Sequence, residues 1–307
     1  MGSPESPSQD PAAPDVAEAA RPRARRAGET DRSLPNVIVI GAQKCGTSSL
    51  HYYLGLHPEV AMSEPKELNF FQLDRNWGKG LDWYRQHFDA SASRRGESSP
   101  NYTNFTRAPG VPERMASVIP DAKLIYLVRD PIDRIAAHWV HHRASGLENL
   151  EMPAALHGPI ASYVDRSRYA MQLERYLEYF PRDQILVVDS DKLLGDRLAT
   201  LREVFEFLDV DAGFVDPGFT LERHESSRKR RRTPLGKFAD RVVSRRLRRV
   251  IPRRARSAVA GLAPMSEPIT KPHDLREKLG PEIVEVLHGE ADRLRAITGL
   301  DFAGWSV

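Results

Sequence analysis

Val37-Ile38-Val39-Ile40 is β-branched at every position and opens directly into Gly41-Ala42-Gln43-Lys44-Cys45-Gly46-Thr47-Ser48-Ser49-Leu50. A short run with no polar alternation predicts a strand covered on both faces, as parallel sheets require. Parallel strands need crossover connections, so this run commits the chain to alternating strands and helices. Gly41 and Gly46 allow a tight turn and close approach of the backbone to a ligand. Thr47, Ser48 and Ser49 bring hydroxyls to the point where a helix start presents free N–H groups, and the helix dipole favours an anion there. An anion cradle between a strand and a helix is the expectation.

Several anions fit such a cradle. The spacing of Gly41 and Gly46 matches the nucleotide-triphosphate loop G-x-x-x-x-G-K-[ST], but Thr47 follows Gly46 and the lysine sits inside the loop at position 44. Cys45, in an electropositive loop, is expected to have a lowered pKa. A cysteine–arginine phosphatase loop needs an arginine where His51 stands, so that spacing fails. A glycine turn holding nothing is the plain alternative, and the coincidence of lysine, glycines and hydroxyls argues against it.

Further strands are expected near Val60, near Gly96–Glu97, at Lys123–Val128 and at Ile185–Asp189. Thr47 to Leu56 reads as a helix that stops before His57-Pro58. Asp130 is placed to cap a helix whose first turn accepts Pro131, with Ile135 and Trp139 on one face. Tyr169–Phe180 and Leu198–Leu208 read as amphipathic helices. A last one starts at Pro281, turns Ile283, Leu287, Ala291 and Leu294 inward, and stops at Gly299. The expected fold class is therefore α/β: a P-loop-like central parallel sheet of about five strands with helices on both faces. In a chain of 307 residues this is read as one domain over 34–307. Residues 1–33 read as a disordered leader rich in Pro, Ala, Ser, Glu and Arg, and about 212–272 as a basic, partly irregular lid-like segment. No apolar run approaches the roughly 20 residues of a membrane span. The leader has no apolar signal-peptide core, and the single cysteine suits a reducing compartment, so a cytoplasmic location is expected.

The loop Gly41–Leu50 resembles the 5′-phosphosulfate loop of sulfotransferases that use 3′-phosphoadenosine 5′-phosphosulfate (PAPS), the group of bacterial and heparan sulfate enzymes in particular. Lys123-Leu124-Ile125-Tyr126-Leu127-Val128-Arg129-Asp130-Pro131-Ile132-Asp133-Arg134 is similar to that family's 3′-phosphate element. Lys66-Glu67-Leu68-Asn69-Phe70-Phe71, Gly80-Leu81-Asp82-Trp83-Tyr84 and Gly96-Glu97-Ser98-Ser99-Pro100-Asn101-Tyr102 lie between them in family order. Tyr169-Ala170-Met171-Gln172-Leu173 and Phe180-Pro181 follow, so the likeness covers about residues 35–210. It implies PAPS as co-substrate, transferring its sulfuryl group to a hydroxyl of a small-molecule, glycoside or lipid acceptor. Lys44, Cys45, Gly46, Thr47, Ser48, Ser49 and Arg129 are the implied cofactor contacts, and Arg228 and Lys229 join them if the basic segment closes over the nucleotide.

Lys44, by motif position, is the candidate for stabilising the leaving phosphate oxygen, an interaction that strengthens in the transition state. Glu67 matches the family's general base, and Glu97 is an alternative base or a brace for the loop. No metal is required, because lysine, arginine and backbone amides supply the positive field. The chain departs from heparan-type members at Asn69, Gln72 and Ser98, and Ala137 stands where a serine usually meets the 3′-phosphate. His138 and His142 are one helical turn apart but lack a zinc-site pattern, so a solvated or acceptor-facing role is expected. Phe70, Phe71, Trp77, Trp83 and Tyr84 read as core or pocket wall. The arginines of 228–254 suit an anionic membrane surface as well as a lid, whereas nucleic acid is disfavoured as a partner. A P-loop nucleotide-binding or kinase-like protein with a polyanion-binding tail stays open as the second function class.

Overall fold

The computed structural model describes residues 31–157, 162–221, 230–232, 266–269 and 274–307. Five strands form one sheet in the order β2-β3-β1-β4-β5. They are β1 (Val37–Gly41), β2 (Val60–Met62), β3 (Arg94–Ser98), β4 (Lys123–Val128) and β5 (Ile185–Asp189), and every pairing among them is parallel. All five residues of β1 are buried, and so are Leu124 to Val128 of β4. Successive strand residues point to opposite faces, so unbroken burial means that both faces are covered. The expected α/β fold class and the expected strands are what the chain adopts.

The helices expected at Thr47, Pro131, Tyr169 and Pro281 begin there, and the one expected at Leu198 begins one residue earlier. Helix α1 (Thr47–Leu54) ends at Gly55, two residues before the expected stop. Short α2 (Gly80–Arg85) and α3 (Val111–Val118) precede α4 (Pro131–Ser145). Asp130 caps α4 by accepting the Asp133 N–H at 2.8 Å, with Pro131 in the first turn. Helices α5 (Tyr169–Leu177), α6 (Ser190–Gly195), α7 (Arg197–Phe207), α8 (Leu275–Leu279) and α9 (Pro281–Thr298) follow. On α9, Leu287, Ala291 and Leu294 are buried as expected, with Val284 joining them while Ile283 is only partly buried. The inward stripe is thus rotated slightly from the expected one. After α9, Phe302, Trp305 and Val307 fold back into the core.

Two expected boundaries concern residues on which the structure speaks only in part. Leader residues 1–30 lie outside the described residues, while Asp31 pairs with Arg85 at 3.0 Å. In the segment 212–272, Phe214 and Phe219 pack with His57 and Phe205. Strand β6 (Arg230–Arg232) pairs antiparallel with β7 (Ser266–Pro268) and runs beside α4.

Candidate active site

Parallel pairing aligns the carboxyl ends of the central strands, and ligands of open parallel sheets bind beyond those ends. Register sets Val39 opposite both Ser98 of β3 and Ile125 of β4. The loop after β1, Ser98-Ser99 at the end of β3 and Arg129 after β4 therefore share one edge. The loop is anchored from below, where Ala42 donates its N–H to the Leu127 carbonyl at 2.7 Å. Gly46, the N-cap of α1, has φ 89°, and Lys44 has φ 75°. A left-handed lysine costs of order 1–3 kcal/mol and persists only where the surroundings impose it. The first N–H groups of α1 have no intrahelical acceptor, so the loop offers backbone donors beside a lysine.

Among the expected loop residues, Ser48 and Ser49 are partly exposed while Thr47 and Cys45 are buried. The expectation of an acidified Cys45 thiol is corrected. It is fully buried, lies 3.6 Å from the Tyr169 hydroxyl, and burial pushes its pKa up to about 11 against the fields of Arg134, Arg129 and Lys44. Desolvation of a thiolate outweighs the nearby cations. Cys45 thus packs beneath the loop as a small apolar group.

Arg129 stands at the end of β4 as expected. Its Nη2 donates to Asp133 at 2.9 Å, and its Nε is buried without a hydrogen-bond partner. Arg228 and Lys229 lie outside the described residues. Ala137 is buried on α4, as an apolar residue at that position should be.

Glu67 has φ 68° and Asn69 φ 48°, so a second left-handed stretch lies at the same edge. The Glu67 N–H donates to the Ser98 carbonyl at 3.1 Å, which fixes the turn to the end of β3. Its carboxylate is 43 % exposed and pairs with Lys66 at 2.8 Å. Glu97 lies beneath it, buried on β3. It accepts the Tyr84 and Tyr102 hydroxyls at 2.8 and 2.6 Å and the Ser99 hydroxyl at 3.1 Å. Ser99 in turn accepts the Asn69 N–H at 3.0 Å. Burial pushes the Glu97 carboxyl up to about 7, and those hydrogen bonds partly oppose it. The geometry suits a brace for the 67–69 turn. Ser48, His51, Ser63 and Lys66 line an open cleft of about 610 Å³ between α1 and this turn.

The histidines are not solvated as a group. His138 is buried, accepts from Arg134 at its Nδ1 (3.3 Å) and lies Nε2 to Nε2 with His142 at 3.1 Å. His142 continues to the Tyr163 hydroxyl at 3.0 Å, which donates to Glu148 at 3.1 Å. This chain needs both imidazoles neutral, and burial lowers both pKa values. Phe70 stacks on Tyr84 at 4.1 Å in the core.

Sequence reasoning missed two residues. His51 on α1 meets the Ser98 hydroxyl at 2.9 Å, and burial aided by Lys66 pushes its pKa down to about 4. Arg166 is buried and bonds Asn101 across a separation no local pattern reveals.

Comparison with known proteins then identifies the class. The family model of the sulfotransferase domain matches residues 34–232, and the chain belongs to that family. It is 35 % identical over 204 residues to human bifunctional heparan sulfate N-deacetylase/N-sulfotransferase 3, covering 58 % of this chain and 22 % of the relative. The corresponding human enzyme 2 is 31 % identical over 199 residues, with the same coverage. The chain thus spans about a fifth of the length of these relatives. A sulfotransferase from Alicyclobacillus acidocaldarius superposes with a TM-score of 0.62 at 25 % identity, covering 89 % of this chain and 99 % of that one.

Proposed function

We propose that this chain transfers the sulfuryl group of PAPS to a hydroxyl of a small-molecule, glycoside or lipid acceptor. The observation that carries this is the meeting, at one sheet edge, of the Lys44 loop, the Glu67 turn held by Ser98, and Arg129. PAPS needs two separated anion sites. The β1–α1 loop, with Lys44 through Ser49, suits the 5′-phosphosulfate, and Arg129, with an uncommitted Nε, suits the 3′-phosphate. A lid role for Arg228 and Lys229, which lie outside the described residues, is proposed on the resemblance of the basic segment to that of the family.

In the reaction, the acceptor oxygen forms a bond to sulfur in line with the breaking bond between sulfur and the 5′-phosphate oxygen. Glu67 takes the acceptor proton once substrate displaces Lys66 from it, a contribution of about 10²–10⁴-fold. Lys44 meets the negative charge that develops on the departing phosphate oxygen. The positive field comes from side chains and amides, so no metal is assigned a step. Among the described residues no helix is long and apolar enough to cross a membrane. We propose the cytoplasm as the place of the reaction, because a single cysteine among 307 residues suits a reducing compartment.

Thermal denaturation with 3′-phosphoadenosine 5′-phosphate tests the donor. At about a hundredfold excess over Kd the bisphosphate should add about 2.7 kcal/mol and raise Tm by several degrees without Mg²⁺. A shift with ATP and Mg²⁺, and none with the bisphosphate, would instead make this a nucleotide-triphosphate protein.

A further inference from the structure

Arg166 is only 8 % exposed, yet its Nε and Nη1 have no hydrogen-bond partner. Its remaining nitrogen, Nη2, donates to Asn101 Oδ1 at 3.0 Å. Asn101 donates in turn to Asn69 Oδ1 at 3.2 Å, and Asn69 Nδ2 donates to the Glu67 carbonyl at 2.8 Å. Three hydrogen bonds thus tie the guanidinium to the backbone of the candidate base. The segment carrying Arg166 is anchored on both sides of that residue. Buried Arg134 donates to the Ser167 hydroxyl and to the Tyr163 carbonyl, on either side of it.

A buried, incompletely bonded cation destabilises a fold unless an anion meets it. Arg134 and Arg107 repel Arg166, while Glu67 is the carboxylate that favours its charge. Burial and the neighbouring guanidiniums draw its pKa to about 9, which leaves it cationic at neutral pH. Arg134 acts on Cys45 in the loop as well as on Arg166. The hydrogen bonds through Asn101 and Asn69 are what place Arg166 beside the Glu67 turn.

The geometry points to Arg166 as the residue that binds an anionic group of the acceptor, so that the acceptor's reactive hydroxyl comes to lie at Glu67. This rests on the sulfuryl-transfer reading and adds a substrate class to it: a hydroxyl compound with a carboxylate, sulfate or phosphate ester near the sulfated position. Arginine suits all three oxyanions, and a charge-assisted bond to its planar fork distinguishes them from neutral analogues. The asparagine relay lets the same side chain set the position of the Glu67 turn.

The test uses the full chain saturated with 3′-phosphoadenosine 5′-phosphate, so that the nucleotide's own anion sites are filled. Calorimetric titration compares methyl β-D-glucuronide with methyl β-D-glucoside, which differ by carboxylate against hydroxymethyl. The glucuronide should bind tighter by about tenfold or more. Arg166→Gln should abolish that preference while bisphosphate affinity stays within about twofold of the parent, which also reports an intact fold. Arg166→Lys keeps the charge without the planar fork and should retain part of the preference; it carries the test if the glutamine variant fails to fold. Equal binding of the two glycosides, binding of neither, or a preference that survives Arg166→Gln overturns the assignment. So does an equal loss of bisphosphate affinity in Arg166→Gln, which would move Arg166 into the nucleotide site. Failure of the parent chain to bind the bisphosphate at all is a different outcome, and it removes the sulfuryl-transfer reading itself.

Discussion

Lys44 and Glu67 both have left-handed backbone, a conformation that side chains other than glycine rarely adopt. Their roles differ in what a substitution should cost. Lys44→Ala removes a charge from the donor's phosphosulfate and from the leaving oxygen, so kcat should fall by about 10²–10³-fold and bisphosphate affinity should fall with it. Glu67→Gln keeps the shape and the backbone bond to Ser98, so affinity for the bisphosphate should stay nearly constant while kcat drops by about 10²–10⁴-fold. Calorimetry with the bisphosphate and initial rates of sulfate transfer measure the two quantities separately. Loss of nucleotide binding in Glu67→Gln would make Glu67 a brace of the loop. At this scale the placement of Lys44, Glu67 and Arg129 at one sheet edge was legible in the sequence, because each stands in a short motif. Arg166 was not, since its partner Asn101, and Asn69 bonded to Asn101 in turn, come from distant connections. Cys45 was misread because local positive charge is visible in sequence and complete burial is not.

The junction of β1 and α1 is the element on which the site depends. At Gly41 an added Cβ would lie 1.9 Å from the Thr103 hydroxyl oxygen and 3.0 Å from Thr103 Cβ. Thr103 itself is buried, so it cannot swing into solvent. Gly41→Ala should therefore destabilise the chain by about 1–3 kcal/mol and displace the loop that follows. Bisphosphate affinity should fall together with Tm, as thermal denaturation with and without nucleotide would register. An unchanged affinity would mean that the loop adapts independently of β1. The element order was legible because continuous β-branched runs, proline at α4 and glycine after α9 each have a local physical cause. The rotated stripe of α9 was not, because Val284 and Ile283 are equally apolar and only the packing partner selects between them. The return of Phe302 and Trp305 to the core has no periodic signal at all; Trp305 meets Tyr169 with ring centroids 5.7 Å apart.

At the scale of the molecule, stability and site geometry are coupled through Glu97. It links a central strand to α2 through Tyr84, to the chain after β3 through Tyr102, and to the Glu67 turn through Ser99 and the Leu68 N–H. In the unfolded chain a glutamate titrates near 4.5, whereas burial raises this one to about 7 in the fold. Between those values the folded state binds more protons than the unfolded state, so stability falls as pH rises. The contribution is fully present below about 4.5, is lost progressively up to about 7, and amounts to about 3 kcal/mol in all. Groups elsewhere have their own pH dependence, so the comparison must be between variants. Glu97→Gln retains an oxygen for the two tyrosines and an amide that can donate to Ser99, but it cannot ionise. The difference in unfolding free energy between Glu97→Gln and the parent should therefore shift in the variant's favour as pH rises from 5 to 8. Urea denaturation across that range measures it. A difference that stays constant with pH would show that Glu97 has the same proton affinity folded and unfolded, and that its burial is relieved by water.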